Sequence, residues 1–92
     1  LSKKRKLLLK ISRGAKNIRF SEFLTLVESF GFTLNRVNGS HYIFEHPDIP
    51  QGISLQRDKN NQAKPYQIKQ FLKLVERYNL QLENEESEDN NT

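Results

Sequence analysis

The residues of this chain best suited to chemistry at neutral pH are its two histidines, His41 and His46. An unperturbed imidazole titrates near pH ~6.5, so it can both take and give a proton there. His41 follows directly on Asn38-Gly39-Ser40. Asn-Gly is a strong hairpin signal, because both central positions of a type I′ turn need positive φ. Such a turn would present the His41 ring at the edge of a hairpin. It would stand beside a glycine, where a ligand backbone can approach closely. The plainer alternative is a polar strand residue that follows a turn. In a regular strand the spacing of His41 and His46 puts their rings on opposite faces. A shared metal ion is therefore not expected.

Little else competes for a chemical role. The chain has no cysteine, which excludes disulfides and cysteine-ligated zinc. It has no glycine-rich phosphate loop, no HExxH pattern and no acid cluster at metal-ligand spacing. No serine has an evident catalytic context. No cofactor and no metal site are expected. Four cations could meet a phosphate backbone: Arg36 before the turn, and Arg57, Lys59 and Lys64 after the third strand. Ordinary surface charge is the competing reading. Tyr42, Phe44, Tyr66 and Tyr78 could stack on bases, although Phe44 and Tyr78 read better as core.

The elements that must position these residues are written in the periodicity. Lys3–Ser12 reads as a short basic helix with Leu7, Leu8 and Ile11 on one side. Arg13–Asn17, with Gly14, reads as a connector. Ser21 is the expected N-cap of a second helix reaching Phe30, with Phe23, Leu24, Val27 and Phe30 as its core face. Gly31 should end it. Phe32–Val37 alternates like a strand, and His41–Glu45 is the return strand, stopped near His46 by Pro47. Asp48–Gly52 reads as a loop and Ile53–Gln56 as a short third strand. Asp58–Ala63 is polar and turn-rich. Pro65 suits the first turn of a last helix, whose stripe is Ile68, Phe71, Leu72, Val75 and Tyr78. The order α-α-β-β-β-α predicts an α+β fold: a three-stranded antiparallel sheet with helices on one face. Phe32, Leu34, Tyr42 and Phe44 should face the helices. His41, Ile43 and Glu45 should face outward.

The chain has 92 residues and a net charge of +4, enough for one domain. The charge is graded. Residues 1–19 carry +8, residues 20–82 carry +1, and residues 83–92 carry −5. The basic end can attract a polyanion. The acidic tail over 83–92 is too polar to offset its ordering entropy and is expected to be disordered. No apolar run approaches the roughly 18 residues that a membrane span needs.

Taken together, Ser21–Leu82 resembles the HicA toxin family of prokaryotic type II toxin–antitoxin modules. The likeness rests on the helix ending in Phe30-Gly31-Phe32, then Arg36, Gly39-Ser40-His41, Ile43-Phe44, His46-Pro47, and the helix after Lys64-Pro65-Tyr66-Gln67-Ile68. It resembles especially the longer subgroup, which has a basic N-terminal leader. The resemblance implies one domain over 1–82, with 1–19 as leader helix and connector and 20–82 as an α-β-β-β-α body. It implies a fold similar to a double-stranded-RNA-binding domain. It also implies a cytoplasmic endoribonuclease (an mRNA interferase) that arrests growth until a HicB-type antitoxin binds it.

The family's catalytic histidine carries over to His41 and its glycine to Gly39. Gly39, Ser40, Arg36, Arg57, Lys59 and Lys64 then become candidate RNA contacts. Shorter members often carry a second histidine after the third strand, where this chain reads Ile53-Ser54-Leu55-Gln56. A non-catalytic RNA-binding module of the same fold is the first alternative. A protein-interaction domain that docks through the open sheet face is the second.

Overall fold

A computed structural model describes residues 2–83. Helix α1 (Lys3–Ser12) is capped by Ser2, whose hydroxyl accepts the Arg5 N–H at 3.0 Å. Ile11 of α1 is buried in the core, and Leu7 and Leu8 pack against it. Helix α2 runs from Phe20 to Ser29 and then meets Gly31, whose φ is +95°. Its start corrects the expectation that Ser21 is the N-cap. Arg19 holds that position and makes no side-chain capping bond. The helix entry is fixed from outside instead. Phe20 N–H donates to Asn61 O at 3.1 Å, and Ala63 N–H donates to Ile18 O at 2.8 Å. A distant segment thus does the work that a capping side chain does locally.

Three strands follow: β1 (Thr33–Asn38), β2 (His41–His46) and β3 (Ile49–Leu55). They form one antiparallel sheet in the order β1-β2-β3. The first hairpin differs from expectation by one residue. Asn38 pairs with His41, so the central residues of the turn are Gly39 and Ser40. Gly39 has φ +63°, while neither Asn38 nor Ser40 is left-handed. A single left-handed glycine at the first central position is the II′ pattern rather than I′. His41 still opens the return strand.

Strand β3 also differs from expectation, because it begins at Ile49 and not at Ile53. Only Pro47 and Asp48 separate it from β2. The register shifts between Phe44 and His46, leaving residues 50–52 as a bulge. A Cβ on Gly52 would lie 2.8 Å from the Phe44 carbonyl oxygen, so the bulge needs a residue without one. Pro50 is tolerated because β3 is an edge strand.

Helix α3 (Pro65–Arg77) closes the fold, with Pro65 in its first turn. The Phe71 ring stands edge-on to Phe23 at 5.6 Å and to Phe30 at 5.5 Å. Phe44, Ile53 and Leu55 line the sheet side of this core. The opposite sheet face carries His41, Glu45 and Ser54, all exposed, and half-buried Ile43. The expected facing of β2 therefore holds. The expected facing does not bury Leu34, since every residue of β1 is exposed. Leu34 pairs with buried Phe44 yet remains 40% exposed, because the helical layer does not extend over this edge strand.

Among the described residues, no helix is long and apolar enough to cross a membrane. The acidic tail expected over 83–92 lies outside the described residues, except for Glu83.

Candidate active site

The II′ turn at Gly39-Ser40 brings β2 back with His41 as its first residue. A strand turns alternate side chains to one face, so His41, Ile43 and Glu45 share the face that none of the three described helices covers. Ser54 on β3 and Gln56 just beyond it alternate with buried Ile53 and Leu55, which sends their side chains the same way. His41 Nδ1 and Ser54 Oγ lie 3.2 Å apart, within hydrogen-bond distance. Nε2 of His41 has no hydrogen-bond partner among the described residues, and the side chain is exposed. One ring nitrogen is therefore held while the other is left without a partner among the described residues.

The turn is held from the end of the same strand. Gln56 Nε2 donates to Ser40 Oγ at 2.9 Å. The Gln56 backbone N–H donates to Gln67 Oε1 at 3.1 Å, and Gln67 Nε2 donates to the Tyr66 hydroxyl at 3.2 Å. Gln67 is only 4% exposed, and a buried amide needs such partners. The sequence reading missed Ser54, Gln56 and Gln67. A signal was present for the first two, since alternation with Ile53 and Leu55 already puts them on the face of His41. Gln67 carried a weaker one, as an amide directly before the apolar stripe of α3.

The expected cations fall into two groups. Arg36 is exposed on β1 and pairs with Ile43, so it is a diagonal neighbour of His41 on the same face, at a typical separation of roughly 7–8 Å. Arg57, Lys59 and Lys64 lie on the segment that leaves β3 and leads into α3. Tyr42 pairs with Leu55, so this segment departs at the end of the sheet where the His41 turn lies. Arg57 donates to the Tyr42 hydroxyl at 2.9 Å and stands over the rings of Phe20 and Tyr42, 5.6 and 5.8 Å from their centroids. Lys59 is exposed, whereas Lys64 is half-buried at the N-cap of α3. Around Gly39 a Cβ would meet nothing within 4 Å, which leaves the turn open to approach.

Of the aromatic candidates, Phe44 is buried, and Tyr42 and Tyr78 are half-buried against the core. Tyr66 is 63% exposed.

His46 has a different environment. Its Nδ1 accepts the Asp48 N–H at 3.0 Å, so Nε2 carries the proton that it donates to Phe30 O at 3.1 Å. Its ring also meets buried Phe32 edge-on at 5.0 Å. Both nitrogens are occupied on the helical side of the sheet, away from His41. Among the described residues, no group of three or more His, Cys, Asp or Glu side chains is arranged to hold a metal ion.

No curated protein and no solved structure matches the chain significantly. A family model described as HicA toxin of bacterial toxin-antitoxin matches residues 20–76. This span is more than half of the chain. It runs from the first residue of α2 almost to the end of α3, and it contains the hairpin, His41 and all four candidate cations. The chain belongs to the HicA toxin family of bacterial toxin–antitoxin systems.

Proposed function

We propose that this protein is an endoribonuclease that cleaves mRNA, with His41 as the residue that moves the proton. The observation that carries this reading is the His41 ring itself. It stands on an uncovered sheet face after a glycine turn, with Nδ1 held and Nε2 open to a ligand. RNA contains its own nucleophile. Nε2 takes the proton of a ribose 2′-OH, and that oxygen attacks the adjacent phosphorus. The P–O5′ bond breaks, leaving a 2′,3′-cyclic phosphate, and the departing O5′ takes a proton from solvent. No metal is needed for these steps.

Positioned proton transfer contributes about 10²–10⁴-fold. Alignment of the phosphate and cationic stabilisation of its developing charge supply more. Arg36 is the cation best disposed for that second task. Arg57, Lys59 and Lys64 fit phosphates further along the strand, and Gly39 and Ser40 give the backbone room to approach. His46 takes no part in protonating O5′, because both of its nitrogens are bonded elsewhere.

The partner that silences the enzyme is a HicB-type antitoxin in the bacterial cytoplasm. It covers the open sheet face and opposes the cations with acidic side chains. RNA incubated with the purified protein in EDTA tests the reading. Cleavage by the wild type and its loss in His41→Ala, with the fold intact, is the expected result. RNA that is bound but left whole means a non-catalytic RNA-binding module instead.

A further inference from the structure

The His41 ring is not positioned by its own hairpin alone. Every hydrogen bond that the Ser40-His41 side chains make within the described residues goes to β3 or to the residue directly after it. Ser54 Oγ meets His41 Nδ1 at 3.2 Å, and Gln56 Nε2 meets Ser40 Oγ at 2.9 Å. Without the first of these bonds, an exposed imidazole on a strand samples several rotamers. With it, the ring plane is set and Nε2 is the nitrogen that faces outward.

We propose that Ser54 is the positioning residue of this site, acting on RNA cleavage through the His41 ring. The inference rests on the proton-transfer role given to His41 above. A base that works through Nε2 needs its lone pair there, so Nδ1 must carry the proton. The Ser54 hydroxyl has two acceptor lone pairs and takes that N–H as an acceptor. When Nε2 gains the substrate proton, Nδ1–H remains a donor and the same bond persists in the imidazolium. Ser54 therefore suits the ring before and after the transfer without exchanging a proton itself. Gln56 supports this arrangement from two residues on by fixing the turn, and Gln67 fixes Gln56 through its backbone N–H at 3.1 Å. The bonds of Ser54 and Gln56 reach the hairpin from β3 and its end, so the strand acts as the template for the ring.

The test compares the wild type, Ser54→Ala and Ser54→Thr, with His41→Ala as the reference for the reading itself. The probe is a long single-stranded transcript in EDTA, cleaved in single turnover over a range of protein concentrations. Ser54 is exposed, so its truncation leaves the melting curve and the half-saturating concentration unchanged. The maximal cleavage rate falls by about tenfold to a hundredfold, as for a displaced catalytic group. Ser54→Thr keeps the hydroxyl and restores most of the rate.

A second readout needs no activity. Long-range 1H–15N spectra of the two imidazoles report which nitrogen is protonated. His41 of the wild type shows mainly the Nδ1–H form, and Ser54→Ala mixes the two forms. His46, locked by Phe30 and Asp48, stays unchanged and serves as the internal control. An unchanged rate and unchanged His41 spectra in Ser54→Ala, alongside a dead His41→Ala, overturn the proposal and leave the reading standing. Cleavage retained by His41→Ala overturns the reading together with the positioning role of Ser54. A rate that falls equally in Ser54→Ala and Ser54→Thr, with no spectral change, also overturns it.

Discussion

His46 Nε2 donates to the carbonyl oxygen of Phe30 at 3.1 Å and so ties the end of β2 to the C-cap of α2. The other ring nitrogen accepts from Asp48 and fixes the turn into β3. One side chain thus joins three elements and satisfies a carbonyl that the helix leaves without an internal partner. Replacing His46 by alanine removes both bonds and the packing against Phe32. A loss of about 1–3 kcal/mol of stability is expected, read as a lower urea midpoint. Cleavage per folded molecule should stay near the wild-type level. A loss of cleavage without a loss of stability contradicts the structural role.

Gly39 separates two requirements that fall on one residue. Its φ of +63° is costly for most side chains, yet a Cβ there meets no atom within 4 Å. Gly39→Ala should cost about 1–2 kcal/mol from the backbone alone. Gly39→Asn should cost less, because asparagine tolerates this region. If RNA passes close to the turn, both variants lower cleavage regardless of stability. Full cleavage by a stable Gly39→Asn protein would remove Gly39 from the binding surface.

Gln67 is a buried amide that holds the backbone of Gln56. Gln67→Leu leaves that N–H without its partner and should destabilise by about 1–3 kcal/mol. The loss should concentrate at the end of β3. Hydrogen exchange at the Gln56 amide is the direct check, and its rate should rise over the wild type by more than the rates of the α2 amides do. Uniform exchange across the protein would show that the bond is not local in effect.

Cations that meet phosphate leave a trace in salt dependence. Replacing Arg36, Arg57, Lys59 or Lys64 singly by glutamine should weaken RNA binding and flatten log K against log [salt]. On a single strand the slope should change by about 0.7 for each phosphate that is no longer neutralised. Arg57 should also cost stability, since it bonds Tyr42 and stands over two rings. Any of the four whose removal leaves the slope unchanged does not touch phosphate.

Local patterning in the sequence was enough to determine the element order, the core face of α3, the left-handed Gly31 and the outward facing of His41. Each depends on residues within a turn or two of one another, where periodicity and glycine chemistry act directly. The family likeness was readable for the same reason, since its motifs are short and ordered along the chain.

Only the tertiary structure decided which two residues form the hairpin turn, because pairing of Asn38 with His41 depends on the register of whole strands. It decided that β3 begins at Ile49, behind a Pro-Gln-Gly stretch that reads as loop until Phe44 lies beside Gly52. It started α2 at Phe20 through bonds from Asn61 and Ala63, where local capping favoured Ser21. It also gave the two histidines separate environments, one open beside Ser54 and one closed between Phe30 and Asp48. The helix start, the start of β3 and the bond from His46 to Phe30 arise from contacts between separate segments of the chain, which local patterning does not report.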